Sequence, residues 1–101
     1  MEDFFLELRK SNRNLLIKSR QSINKLRYRF YHKEPLSKHI EPGLWELRVK
    51  SGSDILRILY TFKKGKIIIL LHAFIKKDQK TPENELVIAR NRLKELQREE
   101  S

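Results

Sequence analysis

Four basic side chains fall on one face of a predicted antiparallel sheet, and their types suit chemistry at a phosphate group. Arg48 lies on the first predicted strand, Arg57 on the second and His72 on the third, and Lys76 directly follows the third. Arg and Lys stabilise negative charge on phosphate oxygens, and His readily transfers a proton near neutral pH. In RNA the ribose 2′-hydroxyl can act as the nucleophile, so the protein needs only to align it, move protons and stabilise charge. These residues therefore indicate metal-free RNA cleavage.

Each of these residues also has a purely structural interpretation. Arg48 or Arg57 could form an ordinary cross-strand ion pair with Glu46, an interaction that contributes little. A histidine in an apolar strand, such as His72, is more often structural than catalytic when it is considered alone. Lysines near a strand end could be solvated loop charges, as for Lys76, Lys77 and Lys80. The functional interpretation gains weight because the cations share one face and few acids are present to neutralise them.

Other kinds of active site find no support in the sequence. The chain has no cysteine, which excludes disulfides and thiolate zinc sites. Its three histidines, His32, His39 and His72, lack the spacing of metal ligands. There is no glycine-rich phosphate loop, serine nucleophile elbow, glycosidase carboxylate pair or acidic magnesium cluster. The residues present fit metal-free RNA chemistry better than any other reaction.

The charge of the chain favours a polyanionic partner. Lys and Arg number 23 against 13 Asp and Glu, which gives a formal net charge of +10 over 101 residues. From Leu8 to Lys33 every charged side chain is basic. A surface that serves only solubility usually mixes both signs. Nucleic acid is therefore the first candidate partner.

Helical periodicity and turn signals define the elements that must position these residues. A first helix is predicted over Glu2–Leu8 and a second over about Asn14–Phe30, with Ser11 or Asn12 as the N-cap of the second. The two prolines within His32–Gly43 predict a connecting loop. The two helices are expected to form a hairpin with its basic side chains outward.

Three strands follow in an antiparallel meander. Alternating or β-rich sequence predicts them over Leu44–Val49, Asp54–Phe62 and Lys66–Ile75, with turns at Ser51-Gly52 and Lys64-Gly65. A final helix is expected to begin at Thr81-Pro82-Glu83, where Thr suits the N-cap and Pro suits the first helical position. Its apolar stripe consists of Leu86, Ala89, Leu93 and Leu96.

The predicted turns determine which strand residues pair. Two-residue loops would pair Arg48 with Ile55, Glu46 with Arg57, and Arg57 with His72. The apolar side chains then form one face that would receive the helices, made of Trp45, Leu47, Val49, Leu56, Ile58, Tyr60, Ile67, Ile69, Leu71 and Ala73. The opposite face would carry the cations.

Taken together, the pattern predicts a single α+β domain over residues 1–101, in which an N-terminal helical hairpin and a C-terminal helix pack on a small antiparallel sheet. The chain starts with acids rather than the positive charge of a signal peptide, and no long apolar run follows. We therefore expect a soluble cytoplasmic protein with no membrane partner.

Three segments of the chain resemble a known group of proteins. They are GLWELR at 43–48, RILY at 57–60 and LHAFIKKDQKTP at 71–82. In this order and spacing they are similar to the phage-derived, HigB-like branch of the RelE/ParE toxin superfamily. The resemblance covers nearly the whole chain, although the N-terminal helices match only in pattern. It implies a RelE-like α+β fold.

The resemblance also implies a function. It implies a toxin of a type II toxin–antitoxin system, an mRNA interferase that cleaves messenger RNA on the ribosome with no cofactor and thereby inhibits translation. The implied partners are the ribosome, mRNA and a cognate antitoxin, often of the helix-turn-helix type. The motif positions imply Arg48 and Arg57 at the scissile phosphate, His72 or Lys76 in proton transfer, and Lys77 and Lys80 in RNA binding.

One departure and one rival function qualify this expectation. Relatives usually begin with a β-strand, whereas Met1 directly precedes helical sequence, so that strand is absent or lies before Met1. Its absence would leave a sheet edge open to an antitoxin strand or a second copy. The rival is a ParE-like inhibitor of DNA gyrase without nuclease activity. A further alternative is a basic RNA- or DNA-binding module without catalysis.

Overall fold

The computed structural model describes residues 2–28, 32, 36–64, 67–75 and 81–100, and within them the chain forms helices on both sides of an antiparallel sheet. The predicted α+β class is confirmed. No helix in the described part of the chain is both long and apolar enough to cross a membrane. The elements are α1 (Glu2–Ser11), α2 (Arg13–Lys25), β1 (Ser37–Glu41), β2 (Leu44–Ser51), β3 (Asp54–Lys63), β4 (Ile67–Ile75) and α3 (Glu83–Glu100).

Asn12 separates the first two helices and is the N-cap of the second. It is one of the two residues, Ser11 and Asn12, that the sequence predicted for this position. Its side-chain oxygen accepts a hydrogen bond from the Leu15 N–H at 3.1 Å, which satisfies a free donor of the first turn of α2. The helix ends at Lys25, where the chain tightens into a turn that reaches Tyr28. The prediction placed this end later, at Phe30, which lies outside the described residues.

The sheet has the strand order β1-β2-β3-β4, with all neighbours antiparallel. The prediction of a loop over 32–43 is therefore wrong for β1, which pairs with β2 from Ser37 opposite Leu47 to Glu41 opposite Leu44. Lys38 and His39 of β1 are exposed. Because β1 is a short edge strand with polar side chains, it lacks the hydrophobic signal of an inner strand.

The turn between β2 and β3 lies one residue later than predicted. Ser51 pairs with Asp54, so Gly52 and Ser53 form the loop, and Gly52 has a φ of +63°. Glycine with positive φ at the first loop position suits a two-residue hairpin. Arg48 consequently faces Arg57 instead of Ile55. Moving the turn by one residue shifts the pairing by an even number of positions, so every side chain of β2 and β3 keeps its predicted face.

A β-bulge changes the faces of β4. Leu59 pairs with His72 but Tyr60 pairs with Leu70, which leaves Leu71 as an extra residue. The predicted pairing of Arg57 with His72 is therefore wrong, because Arg57 faces Phe74.

The bulge also inverts the part of β4 that precedes it. Ile69 and Leu71 pack on the α3 side, opposite to the face predicted for them, and Ile67 is exposed. Ile68 and Leu70 instead join the core beneath α1 and α2.

Two hydrophobic clusters form, one on each face of the sheet. Leu15, Leu16 and the odd-numbered apolar residues of β2 belong to the cluster beneath α1 and α2. Leu59, Phe74, Leu86 and Ala89 belong to the cluster beneath α3. The expectation that one face would receive the helices and leave the cationic face open is therefore wrong. The C-terminal helix covers part of the face that carries Arg57 and His72.

Candidate functional site

Glu46 on β2 is the centre of a buried polar network. Its side chain has no exposed surface, and it lies on the face of the sheet that α3 covers. One carboxylate oxygen, Oε1, accepts from Arg48 Nε at 3.0 Å and from Arg57 Nη1 at 3.2 Å. The other oxygen accepts from the Thr81 hydroxyl. A buried carboxylate needs such partners because an unpaired buried charge is strongly unfavourable.

Arg57 lies inside this network and not on the surface. Only 2% of its side chain is exposed, and its Nη1 also contacts the Thr81 hydroxyl oxygen at 3.4 Å. Arg57 and Arg48 face each other directly across β2 and β3, and the single carboxylate of Glu46 pairs with both of these adjacent cations. An anion can contact Arg57 directly only if the network opens.

Arg48 is the cation of the network that solvent reaches. Its side chain is 28% exposed, and only its Nε is bonded to Glu46. Within the described part of the chain, the two terminal nitrogens of Arg48 make no hydrogen bond. A planar guanidinium with two available nitrogens can bind a phosphate in bidentate fashion.

His72 lies on the same face, between a carboxylate and a guanidinium of α3. Its Nε2 is 3.3 Å from Oε2 of Glu85, and its Nδ1 is 3.4 Å from Nη1 of Arg92. The ring stacks on Phe74, with 5.7 Å between ring centres and 28° between planes. The imidazole is 16% exposed. Both ring nitrogens therefore have partners that hold the side chain in one orientation.

Thr81 links the start of α3 to this site. Its hydroxyl donates to Glu46, so it ties the helix to the sheet and does not act as the predicted N-cap. The first helical hydrogen bond runs from Leu86 N–H to the Pro82 carbonyl at 3.2 Å, so Pro82 stands at the cap position. The site is thus closed on one side by the first turns of α3.

The predicted lysines Lys76, Lys77 and Lys80 lie outside the described residues. They belong to the segment that joins Ile75, the last residue of β4, to Thr81. The other predicted site residues fall into two groups on one face, with Arg48 and Arg57 around Glu46, and His72 with Glu85 and Arg92.

The sequence analysis did not predict three members of the site. They are Thr81, which donates a hydrogen bond to Glu46, and Glu85 and Arg92, which contact His72. Glu85 and Arg92 are seven residues apart on α3 and so lie on the same side of the helix. This spacing was a usable signal, but it points to His72 only once α3 is known to pack on that face.

A second basic surface lies on the opposite side of the sheet. The exposed cations of α1 and α2 include Arg9, Lys10, Arg13, Lys18 and Arg20. These helices pack on the sheet face that does not carry His72. The molecule therefore presents cationic surface on both sides of the sheet.

Comparison with known proteins identifies a family. Residues 3–94 match the family model described as phage-derived protein Gp49-like (DUF891). No curated protein matches the chain. The matched range contains all four strands and both groups of site residues.

Proposed function

We propose a function from the family of this chain, which belongs to the phage-derived Gp49-like family, a family of RelE/HigB-like toxins. The proposed function is that of a HigB-like toxin of a type II toxin–antitoxin system that cleaves messenger RNA on the ribosome. One observation carries the proposal. A partly exposed guanidinium, Arg48, and a histidine oriented by a carboxylate, His72, lie on the same face of the sheet. Anion binding and proton transfer are the two functions that RNA cleavage requires.

In the proposed reaction the ribose 2′-oxygen attacks the neighbouring phosphorus. The bond from phosphorus to the 5′-oxygen breaks, and the products carry a 2′,3′-cyclic phosphate and a 5′-hydroxyl. One of His72 and Lys76, in its neutral form, takes the proton of the 2′-hydroxyl, and the other, in its protonated form, donates a proton to the leaving 5′-oxygen. Arg48 stabilises the charge that develops on the non-bridging phosphate oxygens. Lys77 and Lys80 hold the RNA strand. This reaction uses no cofactor.

Arg57 acts in this proposal through Glu46. The carboxylate that Arg57 shares with Arg48 fixes Arg48 by its Nε and leaves its terminal nitrogens for the phosphate. Arg57 also pairs with Glu46 in a buried position, where a carboxylate without a cation would be costly. Arg57 is therefore a positioning residue, and Arg48 is the residue that contacts the phosphate.

The charge distribution supports the proposed partners. The net charge of +10 favours association with ribosomal RNA and with an acidic segment of a cognate antitoxin, for which a helix-turn-helix protein is the expected type. The exposed cations of α1 and α2 lie away from the His72 face, so they can contact ribosomal RNA while that face contacts the message.

The proposal is tested by cleavage of translated mRNA with purified protein and ribosomes, and by mapping RNA 5′ ends after induction in cells. We expect Arg48→Ala to reduce cleavage by about 10²–10³-fold, the usual effect of removing one such electrostatic contact. Arg48→Lys should restore only part of the activity because lysine lacks the planar fork. Lys50→Ala is the matched control, since it removes an exposed cation from the same face of β2.

Gyrase supercoiling measured in parallel decides between the proposal and its rival. Gyrase inhibition without RNA cleavage would assign the chain to the ParE-like function. RNA binding without either activity would make it a non-catalytic module. Cleavage that is equally strong in wild type and Arg48→Ala would show that the phosphate is bound elsewhere.

A further inference from the structure

His72 lies beneath α3, directly after the β-bulge at Leu71. Leu71 is the extra residue of β4, and its carbonyl oxygen accepts a hydrogen bond from Arg92 Nη1 at 2.7 Å. The same Nη1 lies 3.4 Å from Nδ1 of His72. A bulge leaves backbone groups without a strand partner and turns a side chain in a new direction. Arg92 therefore contacts both the Leu71 carbonyl oxygen at the bulge and the adjacent Nδ1 of His72.

These contacts determine which imidazole nitrogen carries the proton. A guanidinium can only donate hydrogen bonds, so Nδ1 of His72 must accept from Arg92 through a lone pair. In the neutral imidazole the proton then resides on Nε2, which donates it to Glu85 Oε2. The arrangement orients the ring as carboxylates orient catalytic histidines, with one nitrogen donating to the acid and the other able to act as a base once Arg92 leaves it.

We propose that Glu85 and Arg92 are positioning residues for His72. Glu85 holds the imidazole in the form that carries its proton on Nε2, and Arg92 occupies Nδ1 until an RNA phosphate binds the guanidinium and removes it from His72. This inference rests on the proposed ribonuclease function. Once Nδ1 is vacant, it accepts the proton of the 2′-hydroxyl, and Glu85 stabilises the imidazolium that forms.

The energetics favour displacement of Arg92 over displacement of Glu85. Arg92 is an exposed residue, and its contact with Nδ1 is long. Its Nε and Nη2 make no hydrogen bond within the described part of the chain, so they are available to an anion. Charge-assisted bonds from a guanidinium to a phosphate are stronger than a bond to a neutral imidazole. Glu85, in contrast, has only 15% of its side chain exposed.

The first test measures the proton position in the free protein, without RNA or ribosomes. In ¹⁵N spectra of His72 at a pH where the ring is neutral, we expect a protonated Nε2 and a bare Nδ1. Glu85→Ala should accelerate exchange of the Nε2 proton with water by about tenfold, as expected for loss of a hydrogen bond to a charged acceptor. Glu85→Gln should retain slow exchange, because its amide oxygen still accepts. Glu95→Ala, at an exposed position of α3, is the control.

The second test uses a 2′-O-methyl RNA oligonucleotide, which lacks the nucleophilic proton and cannot be cleaved. Its binding should shift the Nδ1 resonance of His72 in the wild-type protein toward the position that this resonance has in the Arg92→Ala variant without RNA. Lys94→Ala, which removes another exposed cation of α3, should behave like wild type.

The outcomes separate this inference from the proposed function. A proton on Nδ1 in the free protein, or exchange unaffected by Glu85→Ala, would overturn the role of Glu85 even if the protein cleaves RNA. RNA that binds without moving the Nδ1 resonance, or that fails to bind, would overturn the role of Arg92. Absence of ribosome-dependent cleavage despite the expected spectra would refute the proposed function and leave the proton assignment intact.

Discussion

Replacement of the buried Glu46 by glutamine should destabilise the protein more than any other single change from Glu to Gln within the described residues. Glu46 is fully buried and bonds two guanidinium groups, of which Arg57 is 2% exposed. Breaking a buried ion pair by removing one partner costs about 3–5 kcal/mol, because the other charge is left buried without compensation. Glutamine keeps the shape of the side chain, so the effect isolates the charge.

The magnitude should lie at or just below the lower end of that range. Glutamine still offers one oxygen acceptor, and Arg48 is 28% exposed and can turn to water. We therefore expect a loss of about 2–3 kcal/mol in the free energy of unfolding. For a domain of this size the midpoint of thermal unfolding should fall by about 10–20 °C.

Urea and thermal denaturation of matched variants provide the assay. Glu83→Gln is the control, because Glu83 forms a 2.6 Å ion pair with Arg90 at the surface, where its side chain is 72% exposed. Surface pairs contribute about 0–1 kcal/mol, so the control should change little. The double variant Glu46→Leu/Arg57→Met should lose less free energy of unfolding than the sum of the losses in the two single variants, because it removes both buried charges. Equal losses for Glu46→Gln and Glu83→Gln would refute the buried network.

Three further predictions concern binding and stability. Ribosome affinity should fall steeply with added salt, since each neutralised phosphate releases counterions; an affinity that barely changes between low and moderate salt would contradict a polyanionic partner. Tyr60→Phe should cost about 1 kcal/mol in urea denaturation, because Ser37 loses its buried hydrogen bond to the Tyr60 hydroxyl while the packing of the ring is kept. Hydrogen bonds from Arg90 lower the pKa of Glu41, so NMR titration of Arg90→Ala should show that pKa rising toward the ordinary value of 4.5. Since a lowered folded-state pKa stabilises the fold only while the carboxyl is ionised, the stability difference between wild type and Arg90→Ala should disappear as the pH falls through the lowered pKa.

The sequence was sufficient for six of the seven described elements because their signals are local. Helical periodicity and the Asn12 cap defined α2, and alternation defined β2 and β3 with the correct faces. The strand β1 could not be predicted, since its polar edge sequence gains stability from pairing with β2 and not from its own pattern. The bulge at Leu71 was equally inaccessible, because it reflects packing on two sides of β4.

The candidate site was predicted in part, since Arg48, Arg57 and His72 do share a face. What the sequence did not reveal is that α3 covers this face, which requires knowledge of the connection between β4 and α3. The face that carries the cations also carries apolar side chains such as Leu59 and Phe74. A sheet with apolar side chains on both faces needs a layer of helices or strands packed on each face. The apolar residues interspersed among the cations were therefore the available signal that this face is not wholly open.

The burial of Arg57 changes how a loss of activity should be interpreted. Arg57→Ala should abolish growth arrest, but it would also leave the Glu46 carboxylate with one fewer cation and would release Arg48 from its fixed position. An effect on catalysis and an effect on folding are thus combined in that variant. Arg48→Ala removes a partly exposed guanidinium while Arg57 and Thr81 continue to satisfy Glu46. If Arg48→Ala loses cleavage but keeps wild-type thermal stability, and Arg57→Ala loses both, then the phosphate contact belongs to Arg48 and Arg57 acts through the network.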